Sequence, residues 1–109
     1  MNQPATVTPF LWYDNDAEEA ARLYVSLIPN SRITDVHRQD GAAFVVSFEL
    51  DGVGYTAMNG GPGHPHTDAF SIAVSCDGQA EVDRLWAALT EGGKEIQCGW
   101  LVDRFGLSW

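Results

Sequence analysis

Basic residues are scarce in this chain of 109: six Lys and Arg stand against 15 Asp and Glu, for a formal net charge of -9. So acidic a chain repels phosphate, which argues against nucleic acid and anionic membranes as partners. The acids either favour a cationic ligand or only keep the surface soluble. Cysteine is scarcer still, with Cys76 and Cys98 alone. They form no metal-type pair and cannot build a disulfide framework, so both read as buried free thiols. No apolar run approaches the roughly 18 residues needed to span a bilayer. Met1–Thr6 lacks the basic and then apolar organisation of a secretory leader. The default compartment is a reducing cytoplasm.

Apolar residues make up 45% of the chain, with four Trp, three Tyr and five Phe. That supports a single folded domain over residues 1–109. Thr8–Tyr13 reads as a strand bounded by Asp14-Asn15-Asp16. Asp16 and Glu19 have the spacing of a capping pair. Ala17, Ala20, Ala21, Tyr24, Leu27 and Ile28 recur at helical spacing until Pro29-Asn30 ends the helix. Ile33–Arg38, Ala42–Leu50 and Val53–Met58 alternate as strands, with Asp40-Gly41 and Asp51-Gly52 as the turns of a meander. Residues 59–66 are too rich in Gly and Pro to be anything but irregular.

The order then begins again. Ala69–Ser75 reads as a strand, Val82, Leu85, Trp86 and Leu89 as one face of a helix, and Gly92-Gly93 as its stop. Ile96–Val102 reads as a strand, Asp103–Gly106 as a turn, and Leu107-Ser108-Trp109 as the opening of another strand. Arg22-Leu23-Tyr24 with Leu27 matches Arg84-Leu85-Trp86 with Leu89, so the helices themselves carry a faint repeat. The fold class expected is α+β: two βαβββ modules, the first over 7–58 and the second over 69–109. A second copy as long as the first would run past Trp109, so the second module is expected to be incomplete at its C-terminal end.

Thr8–Asp14, Ala17-Glu18-Glu19-Ala20, Tyr24, Pro29-Asn30-Ser31, Asn59-Gly60-Gly61-Pro62 and Cys98–Trp109 together resemble the PhnB-like branch of the vicinal oxygen chelate superfamily. That superfamily holds glyoxalase I, extradiol dioxygenases and bleomycin-resistance proteins. The branch carries the domain name 3-demethylubiquinone-9 3-methyltransferase. Metal-dependent members take His, Gln or Glu ligands from the first, fourth, fifth and eighth strands. Here the matching positions fall on Pro9, Met58 and Ser71, with the last beyond Trp109, and these suit a hard divalent ion poorly. The expectation is no catalytic metal and no cofactor. Neither helix opens on the glycine-rich turn that an adenosylmethionine site on a doubly wound fold requires.

His64 and His66 with Asp68 either bind zinc or are solvated loop residues. Cys98, placed on a strand face with Trp100, is the best candidate nucleophile, or an inert thiol in apolar surroundings. With Pro9 as the metal-equivalent position, the odd-numbered face of the first strand looks into a cleft, and Phe10 and Trp12 pack under the helices. The ligand-binding residues expected are then Leu11, Tyr13, Met58, Ser71, Cys98 and Trp100. The same residues could instead fill a core or a dimer interface. The expected role is a protein that binds a small apolar or cationic molecule. The alternative is an enzyme of glyoxalase, dioxygenase or methyltransferase type. The resemblance also implies a homodimer.

Overall fold

The computed structural model describes residues 7–109, so the reading of Met1–Thr6 lies outside them. The described chain is an α+β fold of two compact units divided after His64. Each unit follows the βαβββ order.

In the first unit, β1 (Phe10–Tyr13) leads into α1 (Ala17–Leu27). The meander of β2 (Arg32–Gln39), β3 (Ala42–Leu50) and β4 (Val53–Asn59) follows. The sheet order is β1-β4-β3-β2. β1 runs parallel to β4, with Trp12 opposite Met58, and the other pairs are antiparallel. Both hairpins turn on Asp-Gly, and Asp40, Gly41, Asp51 and Gly52 all have positive φ. Two left-handed central residues match the strand twist, and Asp followed by Gly tolerates them best.

Small residues let α1 lie close to this sheet. Ala17, Ala20 and Ala21 are fully buried with Tyr24, against Val46, Phe48 and Leu50 of β3 and Ala57 of β4. Phe48 stacks on Tyr55 with ring centroids 5.4 Å apart and meets Tyr24 at 6.2 Å. Truncating so buried a phenylalanine to alanine costs roughly 3–5 kcal/mol. The expected capping pair does not form at Asp16, which makes no side-chain bond to the helix start. The Ala17 N–H instead donates to Oδ1 of Asn59, at the end of β4, at 2.8 Å.

The face of β1 is the reverse of the expectation. Leu11 and Tyr13 are the buried pair, and the Tyr13 hydroxyl meets the Tyr24 hydroxyl of α1 at 3.1 Å. Phe10 is exposed on the other face. There Trp12 donates its indole N–H to the Gly61 carbonyl at 2.8 Å and lies 4.3 Å from the His64 ring. The chain crosses Trp12 so closely that a Cβ on Gly60 would stand 2.3 Å from the indole. Only glycine fits that approach.

The second unit repeats the order with shorter strands. Ala69–Ser75 is not a continuous strand: it is extended chain that touches the sheet through one parallel bridge, Ser71 to Ser108. α2 (Gln79–Thr90) follows. β5 (Lys94–Glu95) pairs antiparallel with β6 (Leu101–Val102), and Val102 bridges Ser108. The order across the sheet is therefore that of the first unit. The expected strand Ile96–Val102 is broken by a single turn of 3-10 helix, Gln97–Gly99. Cys98 sits in that turn at φ 62 and Gly99 at φ 84, so Cys98 has no strand face to share with Trp100. Cys98 is exposed and Cys76 half-buried, where both were expected to be buried.

Asp103 anchors the last turn. It is 2% exposed, and its Oδ1 accepts from the N–H groups of Phe105 and Leu107. Its Oδ2 accepts from the Trp109 indole at 2.8 Å.

Candidate functional site

A cavity of about 310 Å³ opens in the second unit beneath α2. Its roof is the apolar helix face that the sequence marks, Val82, Leu85, Trp86 and Leu89. One wall is the extended segment Ser71–Val74 with Cys76. Residues 98–101 and Trp109 complete it. Three of the chain's four tryptophans meet here. The Trp100 indole is held by a 3.2 Å hydrogen bond from its N–H to the Ser71 hydroxyl. Trp86 is held by a 3.0 Å bond to Glu95. The two bonds fix ring positions beside an apolar, aromatic cavity, a combination that suits a flat organic molecule.

Of the six expected ligand-binding residues, Ser71, Cys98 and Trp100 line this cavity. The other three belong to the first unit and are not together there. Leu11 and Tyr13 pack in the core beneath α1, whereas Met58, opposite Trp12, lies half-buried on the other face. A ligand cannot touch Leu11 and Met58 from one side of the sheet. Cys76, Trp86 and Trp109 are lining residues that sequence reasoning missed. Trp86 had a signal, since it shares the helical stripe with Leu85 and Leu89. Trp109 had none beyond being aromatic.

The charged groups near α2 are paired along the helix. Glu81 and Arg84 approach at 2.8 Å. That hydrogen bond holds the Glu81 carboxyl below its ordinary value and pushes the Arg84 guanidinium above its own. The lining itself carries no Asp, Glu, Lys or Arg.

A divalent metal does not fit the residues present at the family's ligand positions. The Pro9 carbonyl accepts from the Thr56 N–H, Met58 offers a soft thioether, and the Ser71 hydroxyl is bonded to Trp100. Among the described residues no group of three or more His, Cys, Asp or Glu could hold a metal ion. His64 lies against Trp12, while His66 and Asp68 border a different hollow, near Lys94. No helix among the described residues is long and apolar enough to cross a membrane.

Two units in βαβββ order, the first a mixed four-stranded sheet with one covering helix and the second a shorter counterpart completed by single bridges, define a small-molecule-binding fold of the vicinal oxygen chelate superfamily. The chain belongs to the 3-demethylubiquinone-9 3-methyltransferase family, whose model matches residues 5–109. It is similar to a Bacillus cereus protein whose name joins PhnB to 3-demethylubiquinone-9 3-methyltransferase. The two share 28% identity over 96% of each chain, with a TM-score of 0.89. A Pseudomonas aeruginosa protein shares the fold at TM-score 0.78, with 20% identity over 96% of this chain and 94% of its own. A search among curated proteins finds no match to this chain.

Proposed function

We propose that this protein binds a small, flat, largely apolar molecule in the cavity beneath α2, without a catalytic metal. The observation that carries the reading is the cavity itself: about 310 Å³, lined by Trp86, Trp100 and Trp109, with the indoles of all three fixed by hydrogen bonds. Natural ligand pockets begin at about this size and are apolar with a few placed polar groups. A cationic ligand is compatible, because indole faces attract cations and the chain carries a net charge of -9. Ser71 and Cys98 supply the polar edge. The protein acts as a homodimer in a reducing cytoplasm, where its two thiols stay free.

The family description supports a second reading, an enzyme acting on a quinone-like ring. It shares the same flat ligand and differs only in whether a methyl group moves. The chain offers no glycine-rich turn at either helix start, where Asp16 and Gly78 stand. This favours binding over transfer.

The test is a titration followed by tryptophan fluorescence, since most of the chain's indoles line the cavity. Hydroxynaphthoquinones and bleomycin-like cations are suitable probes. Saturable quenching, lost in Trp100→Ala and kept in Phe10→Ala, is expected. A flat response across the panel removes the reading. Divalent metals are expected to leave the melting temperature unchanged, and a large rise overturns the metal-free claim. Sedimentation as a stable monomer overturns the dimer.

A further inference from the structure

The few cations of this acidic chain are not spent evenly. Arg22 and Arg38 both reach Glu18, Arg32 reaches Glu49, and Arg84 reaches Glu81. Two remain with no carboxylate partner among the described residues: Lys94, the only lysine of the chain, and Arg104. They are neighbours. Lys94 pairs with Val102 across the β5–β6 ladder. From Leu101 onward the chain alternates, with Leu101 and Asp103 buried and Val102 and Arg104 outward. Arg104 therefore follows Val102 on the face that Lys94 also occupies. Its side chain crosses Gly92, where a Cβ would stand 3.1 Å from that of Arg104, and its guanidinium lies 4.9 Å from the Phe105 ring.

Lys94 and Val102 border a second hollow, of about 620 Å³, with Trp100, Thr67, Ser108 and His66. Both cations are exposed on this face, and neither is within ion-pair distance of a carboxylate among the described residues, although Asp68 borders the same hollow as Lys94. We infer that this face is a binding site for a small aromatic carboxylate, its anionic oxygens held by Lys94 and Arg104 and its ring against Trp100. Lysine supplies a mobile point charge and arginine a planar fork, which together grip a carboxylate at the rim. Thr67 and Ser108 add hydroxyl donors within the hollow. Asp68 also lines it, and its negative charge discriminates against a doubly charged phosphate in favour of a singly charged carboxylate. The net charge of the whole chain opposes any anion at long range, but physiological salt screens that field beyond about 8 Å. The site shares Trp100 and Leu101 with the uncharged cavity beneath α2 but differs from it in its cations, so Lys94→Ala and Arg104→Ala test it without touching that cavity's lining.

A single lysine makes the experiment direct. Reductive methylation with labelled formaldehyde places one side-chain methyl signal on the protein, at Lys94, apart from the N-terminal amine. Benzoate is expected to shift that signal saturably at physiological salt, while benzamide, its neutral counterpart, does not. Calorimetry with unmethylated protein should show benzoate binding weakened about tenfold or more in Lys94→Ala and in Arg104→Ala. Asp68→Asn should bind at least as tightly as the parent. Near-UV circular dichroism checks that each variant keeps the fold, and Arg104→Lys, which keeps the charge, should retain part of the affinity. Equal shifts with benzoate and benzamide, the same shift with chloride alone, or no shift up to the solubility of benzoate would each overturn the site.

Discussion

The backbone N–H of Ala17, first residue of α1, donates to the side-chain oxygen of Asn59, last residue of β4, at 2.8 Å. The same Asn59 donates through Nδ2 to the Ala43 carbonyl of β3 at 3.0 Å. One amide thus closes the helix start and ties it to two strands, the task that sequence spacing assigned to Asp16. Helix starts leave N–H groups without partners, and a side-chain oxygen that fills the gap contributes on the order of 1 kcal/mol. Asn59→Ala removes both bonds and should lower the urea-unfolding free energy by about 1–2 kcal/mol. Asn59→Asp keeps the acceptor and loses the donor, so it should fall between. Equal stability of Asn59→Ala and the parent would show that Asp16 or water takes over the cap.

Asp103 plays the corresponding part in the second unit. Three donors converge on its carboxylate, the N–H groups of Phe105 and Leu107 and the Trp109 indole, at 2.8, 3.0 and 2.8 Å. Asp103→Ala leaves them without this partner in a buried turn and should cost roughly 3 kcal/mol or more. Asp103→Asn keeps one oxygen for the backbone pair but sets an NH2 against the indole N–H, and should cost less. A loss confined to the indole would appear in Asp103→Asn as altered Trp109 fluorescence with a smaller change in the unfolding midpoint. If both variants unfold with the parent, the turn is held by Gly106 and the strand bridges alone.

Much of the fold is legible in the residues, and the failures have local causes. Ala42–Leu50 is read to the residue because strict alternation lies between two Asp-Gly turns, which fix both ends. Helix α2 is marked by an apolar stripe and stopped at Gly92-Gly93, and only its exact ends shift. Ala69–Ser75 fails for the opposite reason: its apolar content reads as a strand, but ladder pairing depends on a neighbour, and Ser108 provides a single bridge. The β1 face is misread because Pro9, taken as the metal-equivalent position, turns Leu11 and Tyr13 toward a cleft and leaves the helix side to Phe10 and Trp12. The Trp12 indole N–H needs an acceptor, and Gly61 offers one only on the open face. That anchoring puts Leu11, Tyr13 and Met58 on one lining, whereas Leu11 and Tyr13 are buried and Met58 lies opposite Trp12. Cys98 and Trp100 reach the wall that carries Ser71 because the turn at 97–99 breaks the strand between them, and no residue pattern announces that turn except Gly99.

Cys98 carries a test of that turn. Its φ of 62 lies in the left-handed region, which costs a non-glycine residue on the order of 1 kcal/mol or more. Cys98→Gly should match or exceed the parent in thermal midpoint, since glycine adopts this conformation freely. Cys98→Val, stiff at Cβ, should lower stability by about 1–2 kcal/mol although the side chain is exposed. A strand at this position would reverse the order, favouring valine over glycine, so the pair of variants separates the two conformations.

Glu18 links α1 to β2 through charge, and its sign can be worked through. Its carboxylate is bonded first by Arg22 of its own helix and then by Arg38 of β2, at 2.6 and 3.1 Å. These bonds hold its folded-state value below the ordinary 4.5. A lowered folded value means that the unfolded chain takes up the proton first as the pH drops. The contribution to stability is therefore complete above about pH 5 and is lost as the pH falls through the folded value. Glu18→Gln should unfold more easily than the parent near neutrality, and the gap should close as the pH falls through the folded-state value of Glu18. The groups are at the surface, so the gap at neutral pH is small and should shrink further in molar salt. A gap unchanged between neutral and acid pH would mean that Glu18 acts through packing of its methylenes, with no part for the two arginines.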